Sequence, residues 1–195
     1  KEEFAAREPG AVRVYSCGPT VYSHAHLGNM RPYLFADLLK RTLRYFGHEV
    51  RHVINITDVG HIVDDADLGE DKVELAARQQ GVSAWEVAER WTQVFKSDLV
   101  HLGVEEPDVW CKATDHVDEQ IEMIVRLEEN GFTYGTSDGI YFDTSKDPHY
   151  GELARLNLDQ QQVQERIGQT PEKRHPQDFA LWKRSAEGGP RRLME

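Results

Sequence analysis

Residues 17–29 gather an unusual set of reactive side chains into one short stretch. It reads Cys17-Gly18-Pro19-Thr20, then His24, then His26-Leu27-Gly28-Asn29. A thiol, a hydroxyl, two imidazoles and a carboxamide offer donors for phosphate or ribose oxygens, and a thiolate is a soft metal ligand. Gly28 would let a phosphate come close to the backbone, and His26 and Asn29 could donate to it. No Walker lysine motif and no Gly-x-Gly-x-x-Gly is present, so neither a P-loop nucleotidase nor a dinucleotide dehydrogenase fits. Taken alone, His26-Leu27-Gly28-Asn29 is equally a helix start with a glycine between polar caps. Cys17 alone is ordinarily a buried inert thiol. Cys111 carries no such motif and reads as a packing residue.

The neighbouring elements place this stretch. Val12–Ser16 alternates and is β-branched, which predicts a strand that ends in the Cys17–Thr20 turn. A helix follows from Gly28 to Gly47, with Pro32 in its first turn, where the missing N–H costs nothing. Leu34, Phe35, Leu38, Leu39, Leu43 and Phe46 recur on one face of it. Val50–Ile56 is a second strand, closed by Thr57-Asp58-Val59-Gly60. Strand, helix, strand in this order predicts a parallel pair, so the reactive stretch lies at the carboxyl end of the first strand, where open α/β sheets bind nucleotides.

Further helices are expected over 69–80, over 83–101 with a Ser83/Glu86 capping box, and after Thr114 or Asp115, with a buried stripe of Val117, Ile121, Ile124 and Val125 ended by Gly131. Phe132-Thr133-Tyr134 and Ile140-Tyr141-Phe142 flank Ser137-Asp138-Gly139, a hairpin signal. From there the chain gains turns and loses helical rhythm. The organisation expected is 1–131 as the first half of a nucleotide-binding domain and 132–195 as an inserted subdomain.

Composition narrows the function classes. With 23 basic and 34 acidic residues the net charge is −11, which argues against coating nucleic acid by bulk electrostatics but not against a local basic strip. Arg31, Lys40, Arg41, Arg44 and Arg51 form one such strip, expected to be a solvated helix face. Lys173, Arg174, Lys183, Arg184, Arg191 and Arg192 form a second basic stretch. Apolar runs are too short for a membrane span, and Lys1–Gly10 lacks the apolar core of a signal peptide. Two cysteines far apart in sequence make a disulfide framework unlikely to be needed and make the cytosol the default compartment.

The constellation says more than its parts. Cys17–Tyr22 with His26–Asn29, Asn55–His61, Ala113–His116, Asp138–Asp143 and Asp178–Lys183 together resemble the cysteinyl-tRNA synthetase family, in that family's order and spacing. The resemblance implies a class I aminoacyl-tRNA synthetase catalytic domain: an α/β, Rossmann-like (HUP-type) parallel sheet with an inserted connective-peptide subdomain. It makes His26-Leu27-Gly28-Asn29 the counterpart of the "HIGH" motif, with Asn29 replacing its final histidine. It implies catalytic roles for His26 and Asn29, and ATP contacts by Thr20, His26, Gly28 and Asn29. Cys17, Gly18 and Thr57 fall on the amino-acid pocket, with Cys17 as one ligand of a Zn²⁺ ion that takes the substrate thiolate. His24 matches no ligand position.

The implied activity is ATP·Mg²⁺-dependent conversion of L-cysteine to cysteinyl-adenylate, followed by transfer to tRNA(Cys), by a cytoplasmic monomer. Zinc suits this task, since cysteine and serine are nearly isosteric and packing separates them poorly, whereas zinc favours the soft thiolate. The remaining zinc ligands, the "KMSKS" loop and the anticodon domain of the family have no counterpart in the sequence. A part of a longer enzyme is therefore expected, inactive by itself. Two other readings stay open: a paralogue that adenylates cysteine for a small amine, as the mycothiol cysteine ligase does, and a non-catalytic module that binds tRNA or protein.

Overall fold

The computed structural model describes residues 3–60, 71–153, 155 and 172–184. These fall into two compact units, one of residues up to 115 and one from His116 onward. The expected residues His61, Arg191 and Arg192 lie outside the described residues, as does the start of the helix expected from Gly69.

The first unit is built on a parallel sheet. Strand β1 (Ala11–Ser16) leads into helix α1 (Leu27–Tyr45), which returns to β2 (Glu49–Ile56). Helices α2 (Lys72–Gln80) and α3 (Ala84–His101) then lead to β3 (Val109–Lys112). The sheet order is β1-β2-β3 with both pairings parallel, Val12 opposite Val50 and Val53 opposite Val109. The expected pairing of the first two strands around a crossover helix is what the chain adopts. The Ser83/Glu86 capping box is also formed, with the Glu86 carboxylate accepting the Ser83 N–H at 2.9 Å.

Two apolar clusters hold this unit together. Val21, Ile56, Val73, Ala77 and Val87 join the α2–α3 pair to the end of β2. Met30, Tyr33, Ile54, Phe95 and Leu99 lock α1 and α3 onto the sheet, with the Tyr33 and Phe95 rings edge-on at 4.9 Å.

The buried face of α1 is not its most apolar one. Met30, Tyr33, Ala36, Asp37 and Lys40 face inward, while Phe35 and Leu38 are 68% and 63% exposed. Ion pairs make the charged inner face possible. The Lys40 ammonium donates to the Glu106 carbonyl at 2.8 Å, and the Asp37 carboxylate accepts from Arg41 Nε and the Glu105 N–H. Burial alone would raise the pKa of Asp37, but its hydrogen bonds and ion pairs outweigh it and hold the carboxyl below its usual range. The strip expected to be a solvated face is thus corrected in part: Lys40 is buried, and Arg41 and Arg44 bind Asp37 and Glu105.

In the second unit, helix α4 (Val117–Glu129) is followed by an antiparallel sheet of β4 (Thr133–Thr136), β5 (Gly139–Phe142) and β6 (Phe179–Lys183). The hairpin expected around Ser137-Asp138 is formed. The stripe expected to be buried on α4 is not: no residue of α4 is buried among the described residues, and Ile121 and Val125 stand exposed. The unit is organised instead by Asp178, which is 2% exposed. Its carboxylate accepts from the Tyr134 hydroxyl, the Thr144 N–H and hydroxyl, and the His175 N–H, all within 3.0 Å. Four donors on one carboxylate repay its burial.

His52 on β2 gives the first unit a built-in pH response. It is 3% exposed, its Nε2 lies 2.8 Å from Ser16 Oγ, and its Nδ1 is buried with no hydrogen-bond partner among the described residues. Burial, reinforced by the Lys40 ammonium, lowers its pKa. A histidine whose folded pKa lies below the unfolded value, about 6.5, stabilises the fold fully above that pH. The contribution is lost as pH falls toward the folded pKa. The melting temperature should therefore fall as pH drops from 7 to 5, and His52→Asn should flatten that dependence; an unchanged slope would remove His52 as its source.

Candidate active site

The chain leaves β1 at Ser16 and crosses directly over the end of β2. Gly18 makes this crossing possible, because a Cβ there would stand 1.5 Å from the Asn55 carbonyl oxygen. The Asn55 side chain fixes the same turn. Its Oδ1 accepts from the Gly18 N–H at 2.7 Å and the Tyr15 hydroxyl at 2.9 Å, while its Nδ2 donates to Thr57 Oγ1 at 3.0 Å. Beyond the turn, Thr57 donates to the Pro19 carbonyl and accepts from the Val21 N–H, so Thr20 and Thr57 run as a short parallel bridge. Cys17, at the head of this turn, is exposed.

A cavity of about 440 Å³ opens beside it. One wall is the segment from Cys17 to Ala25, the second is Gly28, Asn29, Pro32 and Tyr33 on the first turns of α1, and Lys72, Trp91 and Phe95 close it from α2 and α3. The helix end is well formed: Asn29 Oδ1 accepts the His26 N–H at 3.0 Å. That contact spends the oxygen of the carboxamide on the cap and leaves its NH₂ as a donor. The His26 ring lies against Gly28, whose missing Cβ would approach its Cε1 to 2.9 Å.

The structure thus brings Cys17, Gly18, Thr20, Gly28 and Asn29 together on the cavity wall. His26 is the exposed residue just before α1 and is not on that wall, and Thr57 supports it from behind. His24, which matched no motif, does line the cavity. Its Nδ1 is 3.0 Å from the Ala25 carbonyl, its ring meets Trp91 edge-on, and its Nε2 lies 3.8 Å from the Asp98 carboxylate. Burial pushes the Tyr33 phenol well above its ordinary pKa, so it is a neutral donor at the base of the site.

Sequence reasoning singled out neither Lys72 nor Trp91, and it quoted Tyr22 and Asn55 within their blocks without giving them a role. The signal for Asn55 was available, as a lone carboxamide inside a β-branched strand; Lys72 and Trp91 carry no local signal. No three His, Cys, Asp or Glu side chains come together as a metal site among the described residues, so Cys17 is not part of a complete ligand set there. A single thiolate does not hold zinc tightly. No helix among the described residues is long and apolar enough to cross a membrane.

Residues 3–192 match the family model of the tRNA synthetases class I (C) catalytic domain. The chain is 50% identical over 182 residues to a cysteine–tRNA ligase of Treponema denticola, covering 93% of this chain and 37% of the relative. It is 51% identical over 180 residues to cysteine–tRNA ligase 1 of Burkholderia lata, covering 92% and 38%. The chain therefore spans under two-fifths of the length of these curated relatives. Among solved structures, Mycobacterium tuberculosis methionyl-tRNA synthetase in complex with methionyl-adenylate shares the fold, with a TM-score of 0.55 at 22% identity over 69% of this chain and 25% of that one.

The crossing at Gly18 yields a sharp expectation. Gly18→Ala should destabilise the protein by about 3 kcal/mol, the upper range for overpacking, because the obstacle is backbone and cannot swing aside. Gly135→Ala, where nothing lies within 4 Å of the added Cβ, should change stability by less than about 1 kcal/mol. Urea midpoints of the two variants test this; similar values would mean the turn yields easily.

Proposed function

The chain belongs to the family of class I (C) tRNA synthetase catalytic domains, and from that premise we propose that the whole protein is a cysteine–tRNA ligase whose amino-acid activation is carried out in the cavity beside Cys17. The observation that carries this reading is the wall itself. An exposed thiol, a hydroxyl and a carboxamide converge at the carboxyl end of β1 and the first turn of α1.

In the reaction, the carboxylate of L-cysteine attacks the α-phosphorus of ATP·Mg²⁺ and pyrophosphate departs. The first turn of α1, with the Asn29 NH₂ and Thr20 hydroxyl, presents fixed donors toward the developing phosphate charge, so little reorganisation is needed as it forms. Gly28 keeps that approach open. A ribose hydroxyl at the 3′ end of tRNA(Cys) then attacks the cysteinyl carbonyl and releases AMP. Neither step needs a covalent bond to the protein.

Cys17 is held at the pocket by the Gly18–Asn55 crossing, and as a thiolate it would serve as one zinc ligand, with the others supplied from outside the described residues. A zinc ion bound there supplies a soft partner for the substrate thiolate and so a basis for rejecting serine. The chain's own part is to fix that sulfur at one place.

The test uses the full-length protein. It should catalyse cysteine-dependent ATP–pyrophosphate exchange and charge tRNA(Cys); exchange with transfer only to a small amine would point to a ligase of the mycothiol type. Cys17→Ser should lose bound zinc and reduce exchange by at least about 100-fold. A variant that keeps normal zinc content and normal discrimination against serine would take Cys17 out of the mechanism.

A further inference from the structure

Lys72 stands apart on the cavity wall. Of the side chains that line it, Lys72 alone is a Lys, Arg, Asp or Glu. In a chain of net charge −11, the Lys, Arg, Asp or Glu that the described residues contribute to this wall is a cation. Its placement is fixed from the backbone upward. Lys72 is the first residue of α2, and the preceding Asp71, 2% exposed, caps the helix by accepting the N–H groups of Val73 at 2.8 Å and Glu74 at 3.2 Å. Val73, next along, is buried in the core. The stem of Lys72 therefore leaves a rigid base.

Its ammonium lies 5.4 Å from the centre of the Tyr22 ring, within cation–π range. No carboxylate among the described residues forms an ion pair with it, although Lys40, Lys112 and Lys183 each have one. An ammonium steadied by an aromatic face and left without an anion is arranged to receive one.

We propose that Lys72 binds an anionic oxygen of the substrates, a phosphoryl or carboxylate oxygen at the point where the two are joined. This rests on the reading of the cavity as the activation site. Both reactants bring negative charge into it, and among the described residues that line it Lys72 is the one Lys or Arg. An ammonium at this wall lowers the cost of bringing two anions together and stays in place as charge moves from carboxylate to phosphate. Lys72 is in this role a binding residue, distinct from the donors at the head of α1.

The experiment uses the full-length protein with Lys72→Met, which keeps an aliphatic stem against Tyr22, and Lys72→Arg, which keeps the charge. Three readouts are compared with the unaltered protein: melting temperature, calorimetric Kd for ATP·Mg²⁺ and for L-cysteine separately, and ATP–pyrophosphate exchange. Lys72→Met should melt within a few degrees of the unaltered protein and weaken one ligand by about tenfold or more, the scale of a lost charged hydrogen bond. Lys72→Arg should recover much of that loss. Weakening confined to ATP·Mg²⁺ identifies a phosphoryl contact, and weakening confined to cysteine a carboxylate contact. Unchanged affinities with unchanged exchange would overturn the proposal, as would a large fall in melting temperature with equal losses for both ligands, which marks a structural lysine. If the unaltered protein shows no cysteine-dependent exchange, the functional reading fails, while the two affinities still report on Lys72.

Discussion

The cavity depends on one close approach, the passage of Gly18 over the end of β2. Two strands of a parallel sheet normally diverge into separate loops at their carboxyl ends. Here the backbone at Gly18 comes so near the Asn55 carbonyl that no side chain fits between them. The Asn55 carboxamide then ties the two segments together by accepting from Gly18 and Tyr15. With the turn pinned, Cys17 projects at a fixed point and the segment from Thr20 to Ala25 is led along the sheet end toward α1. Loosening that contact would blur every later distance in the site, since all of its first wall hangs from this turn.

The elements that could be read from sequence were those with a single dominant pattern. β1, β2 and the helix between them follow simple alternation and helical spacing, and both strand pairings and the hairpin at Ser137-Asp138 follow from them. β3 was not legible: four residues, Val109 to Lys112, are too few to show a period, and the strand exists because β2 offers an edge for it. The inner face of α1 misled for a different reason. Lys40 read as solvent-facing, yet it and the neighbouring Asp37 find partners in residues 106 and 105, more than sixty positions away. Burial of charge is decided by partners that local sequence does not display. Position relative to the cavity was legible for Cys17, Thr20, Gly28 and Asn29, which lie on one continuous stretch; Lys72 and Trp91 arrive from other helices, and only the fold brings them there.

The second unit solves its packing with polar groups to an unusual degree. Phe132, Phe142 and Phe179 stack in a row on one side of the sheet. On the other, Tyr134 and Tyr141 lie beneath cations, with Arg174 4.3 Å from the Tyr134 centroid and Lys183 5.0 Å from that of Tyr141. Burial pushes the Tyr134 phenol up to about 12, so it remains a hydrogen-bond donor to Asp178 throughout the physiological range. The basic residues Arg174 and Lys183 are thereby committed to Asp143 and Asp138 as well. They tie the sheet to its neighbouring carboxylates, Lys183 half-buried and Arg174 at the surface.

Charge is handled oppositely in the two places where the first unit admits it. Between α1 and the 105–106 segment, every buried ion is matched at once: Lys40 by a carbonyl and a carboxylate, Asp37 by a guanidinium and an amide. Matching spares each ion the large penalty of standing buried without a partner, and the pairs tie the helix whose first turn faces the cavity to the 105–106 segment. At the cavity wall the ammonium of Lys72 has no carboxylate partner among the described residues and lies instead over the Tyr22 ring. Leaving it unmatched at the wall keeps the positive potential in the cavity available to anionic reactants, which is where a reaction between a carboxylate and a triphosphate needs it.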